Sequence, residues 1–346
     1  MNSSNLYKNL PDESRAILLD LAEEIKSNNP EGRVILFLGA GANYNAPKGY
    51  EDIYRKCDRP PVGRELNESF IDKIWPPEDF HTQNLEMKRE QWPLSYTCQI
   101  FEEKTERRKL ILNLHQFIGD KEPSPVLNAL AEMPFKYIVT TNYDQLFEKA
   151  LKKAGKSEFF KGVYNANRYG EHRPTYVPNG NATIQRPFLY KLHGDLDETI
   201  KMDATTANYI EGNDSIVLTD EDYLQFVLRM GQINDNIEKN PEEHPTNMYP
   251  IPDLINESFT GRNQNTFLFV GYGLQDYNLR LIFKTALWKK DESSFKKLQK
   301  WSISFNKHKP IQEFFTKEYR FRFIDHDIWA AIPFLYKKIF NREMPI

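Results

Sequence analysis

Val34-Ile35-Leu36-Phe37-Leu38-Gly39-Ala40-Gly41-Ala42-Asn43 contains five consecutive apolar residues and then a glycine-rich stop. An apolar run without alternation predicts a strand covered on both faces, the usual state of strands in parallel sheets between helices. Upstream, Ser14 to Ser27 places Ile17, Leu18, Leu21, Ala22 and Ile25 at helical spacing. Downstream the strand signature returns three times. Tyr137-Ile138-Val139 precedes Thr140-Thr141, Phe188 to Leu192 precedes His193-Gly194, and Phe267 to Val270 precedes Gly271-Tyr272-Gly273. Weaker strand signals cover Trp301 to Ser304 and Arg320 to Ile324. Helical patterns cover Asp144 to Lys153, Asp220 to Met230, Tyr277 to Trp288 and Ile328 to Ile339. Strands alternating with helices predict an α/β fold with a Rossmann-like, mostly parallel sheet flanked by helices.

The segment 44–125 departs from a minimal strand–helix–strand unit. It holds the pairs Pro60-Pro61 and Pro76-Pro77 and one long helical pattern, Leu94 to Phe117, and is expected to be a mainly helical insertion. Lys156 to Arg186 and Gly231 to Pro250, rich in Asn, Pro, Gly and Glu, are expected to be long loops over the sheet. The whole of 1–346 is expected to form a single domain, with 1–30 as an N-terminal helical extension.

Composition narrows the function classes. A formal net charge of -3 gives no global attraction for nucleic acid. The basic run Lys104 to Lys109 is interleaved with acidic residues, as on a solvated helix face. Two cysteines, Cys57 and Cys98, cannot build a four-cysteine zinc ribbon or a disulfide framework, which fits a reducing, cytoplasmic setting. No His-x-Glu or His-Glu-x-x-His spacing suggests a metal site. Neither a signal peptide nor an apolar run of transmembrane length is expected.

In an open parallel sheet, ligands bind beyond the carboxyl ends of the strands. Four such ends carry Gly39 to Asn43 (GAGAN), Thr140 to Asp144 (TTNYD), Lys191 to Asp195 (KLHGD) and Gly271 to Asp276 (GYGLQD). Gly39 and Gly41 would let backbone N–H groups approach a pyrophosphate. A full dinucleotide fingerprint needs a third glycine, and position 44 is Tyr, so an ordinary dehydrogenase is disfavoured. Each motif also fits a plainer role. Gly39-Ala40-Gly41 fits a strand-to-loop turn, Thr141-x-x-Asp144 a helix cap, His193 a satisfied core histidine and Asp276 an N-cap.

Taken together and in this order, the four motifs resemble the sirtuin (silent information regulator) superfamily over about residues 33–280, with Val217 to Tyr223 (VLTDEDY) as a further matching segment. The resemblance is nearest to the bacterial antiviral-defence branch that hydrolyses NAD. The departures are the missing zinc ribbon, Thr141 in place of the usual Gln, and Asn43 in place of the familiar Ser. They point away from protein deacetylation.

The resemblance implies hydrolysis of NAD to ADP-ribose and nicotinamide, with NAD as substrate and no required cofactor. It puts Asn142 beside the nicotinamide ribose, His193 as general base and Asp144 near the nicotinamide or the developing charge. Gly39, Ala40, Gly41 and Asn43 would line the phosphates, Gly271, Tyr272 and Asp276 would lie near the adenosine half, and Thr141 is a further NAD-binding candidate. It also implies a toxic effector in antiphage defence, working as a homo-oligomer, sometimes with a separate regulatory or ATPase partner, without membrane or direct nucleic-acid binding. The alternatives are a protein deacylase or ADP-ribosyltransferase, and a non-catalytic module sensing NAD or ADP-ribose.

Overall fold

The computed structural model describes residues 3–27, 32–75, 92–164, 182–202, 209–211, 214–228, 265–272, 298–303 and 309–346. Its frame is a seven-stranded sheet in the order β3-β4-β2-β1-β7-β8-β9, parallel throughout. The strands are β1 (Val34–Leu38), β2 (Tyr137–Thr140), β3 (Phe160–Val163), β4 (Phe188–Lys191), β7 (Thr266–Val270), β8 (Lys300–Ile303) and β9 (Phe321–Ile324). A small antiparallel pair, β5 (Ile200–Met202) and β6 (Tyr209–Glu211), stands apart from it.

The unbroken apolar run of β1 has the predicted cause. All five residues are buried, and they alternate between two cores. Val34, Leu36 and Leu38 join Ile138, Leu268 and Val270 on one face, under helices α1 (Asp12–Ser27), α5 (Pro125–Glu132), α6 (Leu146–Lys153) and α9 (Ile328–Phe340). Ile35 and Phe37 join Val139, Tyr190, Phe267 and Phe269 on the other, with Phe315 of α8 (Lys309–Tyr319). Phe37 stacks on Phe269 at 4.8 Å between centroids, a contact that adds to the area both rings bury. The N-terminal helix α1 lies against α9 and beside β9.

A third cluster gathers α2 (Gly63–Ile74), α3 (Leu94–Lys104) and α4 (Arg107–Ile118), through Phe70, Phe101 and Leu114, onto Leu196, Ile216 and Leu218. The insertion thus packs on the chain that follows β4. Arg107 reinforces this packing: its guanidinium bonds Asp214, Asp222, Glu102 and the Ile216 carbonyl. Here the structure corrects the single helix expected over Leu94 to Phe117. The helix breaks at Thr105 (φ -125, ψ -97), whose N–H and hydroxyl both turn back to Phe101 O.

A second correction falls in Lys156 to Arg186, expected to be all loop. Phe160–Val163 pairs with β4 as an edge strand. Gly162 makes that possible, because a Cβ there would sit 2.8 Å from the Phe188 ring. The helix expected from Asp144 begins at Leu146. Residues 220–228 are helical as expected and form α7. The expected helix Tyr277 to Trp288 and loop Gly231 to Pro250 lie outside the described residues. No helix among the described residues is long and apolar enough to cross a membrane.

Candidate active site

Strand register brings the site together. Leu38 is level with Thr140 and Val270, and Thr140 is level with Lys191, so β1, β2, β4 and β7 end on one rim. The chain moves from β1 to β2 on one side and reaches β7 on the other. The C-terminal end of β1 is therefore the switch in strand order, where open α/β sheets form their ligand crevice.

At that point the β1 and β7 turns interlock. Gly39 N–H donates to Val270 O and Gly41 N–H to Gly271 O, each at 3.0 Å. A Cβ on Gly41 would lie 2.7 Å from Gly271 O, and one on Gly271 (φ +73) only 2.0 Å from Ala42 N. The amides of Gly39 and Gly41 are thus both used within the protein, and the glycines allow two backbones to touch. Tyr272 lies over Gly39, 3.1 Å from where its Cβ would be, and its hydroxyl accepts from Thr141 Oγ1 at 3.4 Å. Ala40 is exposed on the one-turn helix Ala40–Asn43. Asp276 lies outside the described residues.

The turn after β2 is fastened to β1. Thr140 Oγ1 donates to Leu38 O and accepts from Asn142 N–H. Asn142 Nδ2 reaches Gly39 O at 3.4 Å, and Asn43 Nδ2 reaches Asp144 Oδ2 at 3.4 Å. Asp144 Oδ1 accepts the Leu146 N–H at the start of α6, so the capping role and the site position coexist in one carboxylate. Burial raises the Asp144 pKa, opposed chiefly by the Lys191 cation.

His193 leaves β4 beneath this turn. It is only 5% exposed, and its ring meets Tyr223 edge-on at 5.4 Å. Burial lowers its pKa to about 3, so the imidazole is neutral at physiological pH. Among the described residues, the buried side-chain atoms without a hydrogen-bond partner include His193 Nε2 and Asn43 Oδ1, the two that lie at this rim. A protein interior rarely leaves such atoms unmatched, since each costs about 1–3 kcal/mol. Gly194 (φ +91) is obligatory behind His193, because a Cβ there would lie 2.1 Å from Ser215 O.

Beneath the rim lies a group that motif reading passed over. Lys191 is fully buried and binds Glu148 and Asp195, at 3.1 and 3.3 Å. Asp195 also takes Lys161 and Gln145, each at 2.7 Å. Burial pushes the Asp195 carboxyl upward, but Lys191 and Lys161 outweigh it and hold its pKa below the ordinary value. The sequence signal was available: a lysine inside an otherwise apolar strand needs buried counter-charge. A separate open groove of about 530 Å³, lined by Ile17, Gln312, Phe321 and Phe323, lies at the β9 edge and takes no part in this site.

The fold and rim define a nucleotide-type α/β crevice, and the comparisons specify its family. A model of the SIR2-like domain matches residues 136–324, more than half the chain, and the protein belongs to that family. The match begins at β2, and β1 with its Gly-Ala-Gly turn precedes it in the chain and pairs with β2 in the sheet. Defense-associated sirtuin 2 of Bacillus subtilis is 28% identical over 195 residues, 56% of this chain and 14% of its own length. NAD(+) hydrolase ThsA of Acinetobacter baumannii (strain 532279) is 24% identical over 268 residues, 77% of this chain and 41% of that protein. NAD(+) hydrolase ThsA of Enterococcus faecium is 27% identical over 160 residues, 46% and 24% of the two chains. The chain thus spans less than half the length of each of these relatives.

Proposed function

We propose that this protein hydrolyses NAD to ADP-ribose and nicotinamide, as an effector that depletes NAD in antiphage defence. The observation that carries the proposal is the convergence of Asn43, Asn142 and Asp144 at the switch in strand order, with His193 leaving the adjacent β4 and its Nε2 unmatched within the protein. Two relatives bearing the name NAD(+) hydrolase and one named a defence-associated sirtuin support the same reading.

In the proposed reaction the bond between nicotinamide nitrogen and ribose C1′ breaks, and its electron pair neutralises the pyridinium. Water oxygen bonds to C1′ and releases one proton. The transition state carries positive charge on the ribose, which Asp144 stabilises electrostatically. Neutral His193 offers Nε2 to a ribose hydroxyl or the attacking water, and Asn142 fixes that group's orientation. Gly39 to Asn43 and Tyr272 line the remainder of the dinucleotide. Incubation of purified protein with NAD, followed by chromatography, tests the proposal. Nicotinamide and ADP-ribose in equal amounts, without an acylated peptide, is the expected result. Turnover only with an acyl-lysine acceptor, or saturable NAD binding without any turnover, would overturn it.

A further inference from the structure

We propose that Lys191 is a positioning residue that holds the turn bearing Asn142 and Asp144 against the turn bearing His193. This rests on the NAD-hydrolase reading above for its kinetic consequences, though not for its geometry.

One ammonium spans both turns. Lys191 Nζ donates to Asp144 O at 2.5 Å and to Tyr143 O at 3.3 Å, within the turn after β2. It also binds Glu148 Oε1, in the first turn of α6. On its own strand it lies two residues before His193 and pairs with Asp195, two residues after it. The His193 turn is thus bracketed by the lysine and its carboxylate. Gln145 Nε2 reaches Asp195 Oδ1, and Leu196 N–H reaches Tyr143 O, so the tie is doubled. An apolar side chain could fill the Lys191 volume, and a buried ion pair is often no more stabilising than such a replacement. An apolar side chain could not grip two carbonyls and two carboxylates from three elements. Geometry is what the charge supplies, and a shift near 1 Å at reacting groups costs about 100-fold in rate.

The test is the double variant Lys191→Met/Glu148→Gln, which removes one cation and one anion together and leaves the net charge of the cluster unchanged. The expected result is a thermal midpoint near wild type, kcat lower by about 100-fold and KM little changed. Amide hydrogen exchange should accelerate at 141–146 and 193–196 while the central strands keep their protection. Wild-type kcat in the folded double variant would overturn the proposal, as would kcat loss that merely tracks a lowered midpoint. Unchanged exchange in the two turns would overturn it whatever the kinetics. If the double variant does not fold, Asp195→Asn decides: it keeps the side-chain shape, and the proposal requires lower kcat at similar KM, whereas unaltered kcat refutes it. Wild-type protein that releases no nicotinamide refutes the NAD-hydrolase reading instead, and the exchange comparison still judges the tie.

Discussion

Asn43 and Asp144, 101 positions apart in the chain, meet through one hydrogen bond from Nδ2 to Oδ2 across 3.4 Å. The bond joins the ends of β1 and β2 at the switch in strand order. It leaves Asn43 Oδ1 turned to an unmatched position and engages the carboxylate oxygen that Leu146 does not use.

Asp144→Asn tests that carboxylate. The amide oxygen can still cap Leu146, but its NH2 then faces the NH2 of Asn43. Folding should persist, as judged by circular dichroism, while nicotinamide release falls by about 100-fold. Burial raises the Asp144 pKa, so wild-type activity should fall with acidification at a pH above the ordinary carboxylate range. Full turnover in Asp144→Asn would remove the carboxylate from the mechanism.

His193→Ala and Asn142→Ala should each lower turnover by roughly 10²–10⁴-fold, the usual contribution of positioned acid–base groups. Either variant turning over NAD at the wild-type rate would clear that residue of a catalytic role.

His193 also makes a stability prediction. Its pKa is about 3 in the fold and about 6.5 in an unfolded chain. Between those values the unfolded state binds the extra proton, so stability is present above pH 6.5 and drains away as pH falls toward 3. The contribution is about 1.4 kcal/mol per pH unit within that window. Urea titrations at pH 7 and pH 5 should show a smaller acid loss in His193→Gln than in wild type. Equal losses would mean that His193 is not held neutral by burial.

Gly194→Ala places a Cβ 2.1 Å from Ser215 O at a positive φ. No side chain can move aside there, because the obstacle is backbone. Destabilisation of at least about 2 kcal/mol is expected from calorimetry or denaturant titration. Gly155→Ala, also at positive φ but with open space around it, is the control and should cost less.

Arg107→Met breaks the link between the helical insertion and 214–222. The guanidinium is 13% exposed and Asp222 1% exposed, so the substitution breaks a buried ion pair. Breaking a buried pair in this way costs about 3–5 kcal/mol. Limited proteolysis should then open the insertion before the sheet, and simultaneous loss of both would contradict this order.

The central sheet was legible because burial on both faces writes itself as unbroken apolar runs: Val34 to Leu38, Phe188 to Tyr190 and Phe267 to Val270. Phe160–Val163 escaped notice because an edge strand with Lys161 and Gly162 carries no such run; its identity comes from pairing with β4. The break at Thr105 lacks glycine or proline, and apolar spacing continues through it, so only tertiary packing reveals it. Motif order brought Asn142, Asp144, His193 and the glycines together at one rim. It could not show that the Gly39 and Gly41 amides are already engaged, nor that Lys191 reaches across the turns, since both depend on partners far away in sequence.

The interlock of Gly39 and Gly41 with Val270 and Gly271 has a consequence for the newborn chain. β1 leaves the ribosome well before its partner on one side, which follows roughly 230 residues later. At about 5–20 residues per second, translation separates the two by roughly ten to fifty seconds. During that interval the Gly-Ala-Gly turn has no floor and the rim has one wall. On the proposed reading the site is therefore incomplete until β7 arrives, and any product cut short before Gly271 lacks that wall. A cell that makes the proposed toxin would meet its chemistry only after β7 has been added to the chain.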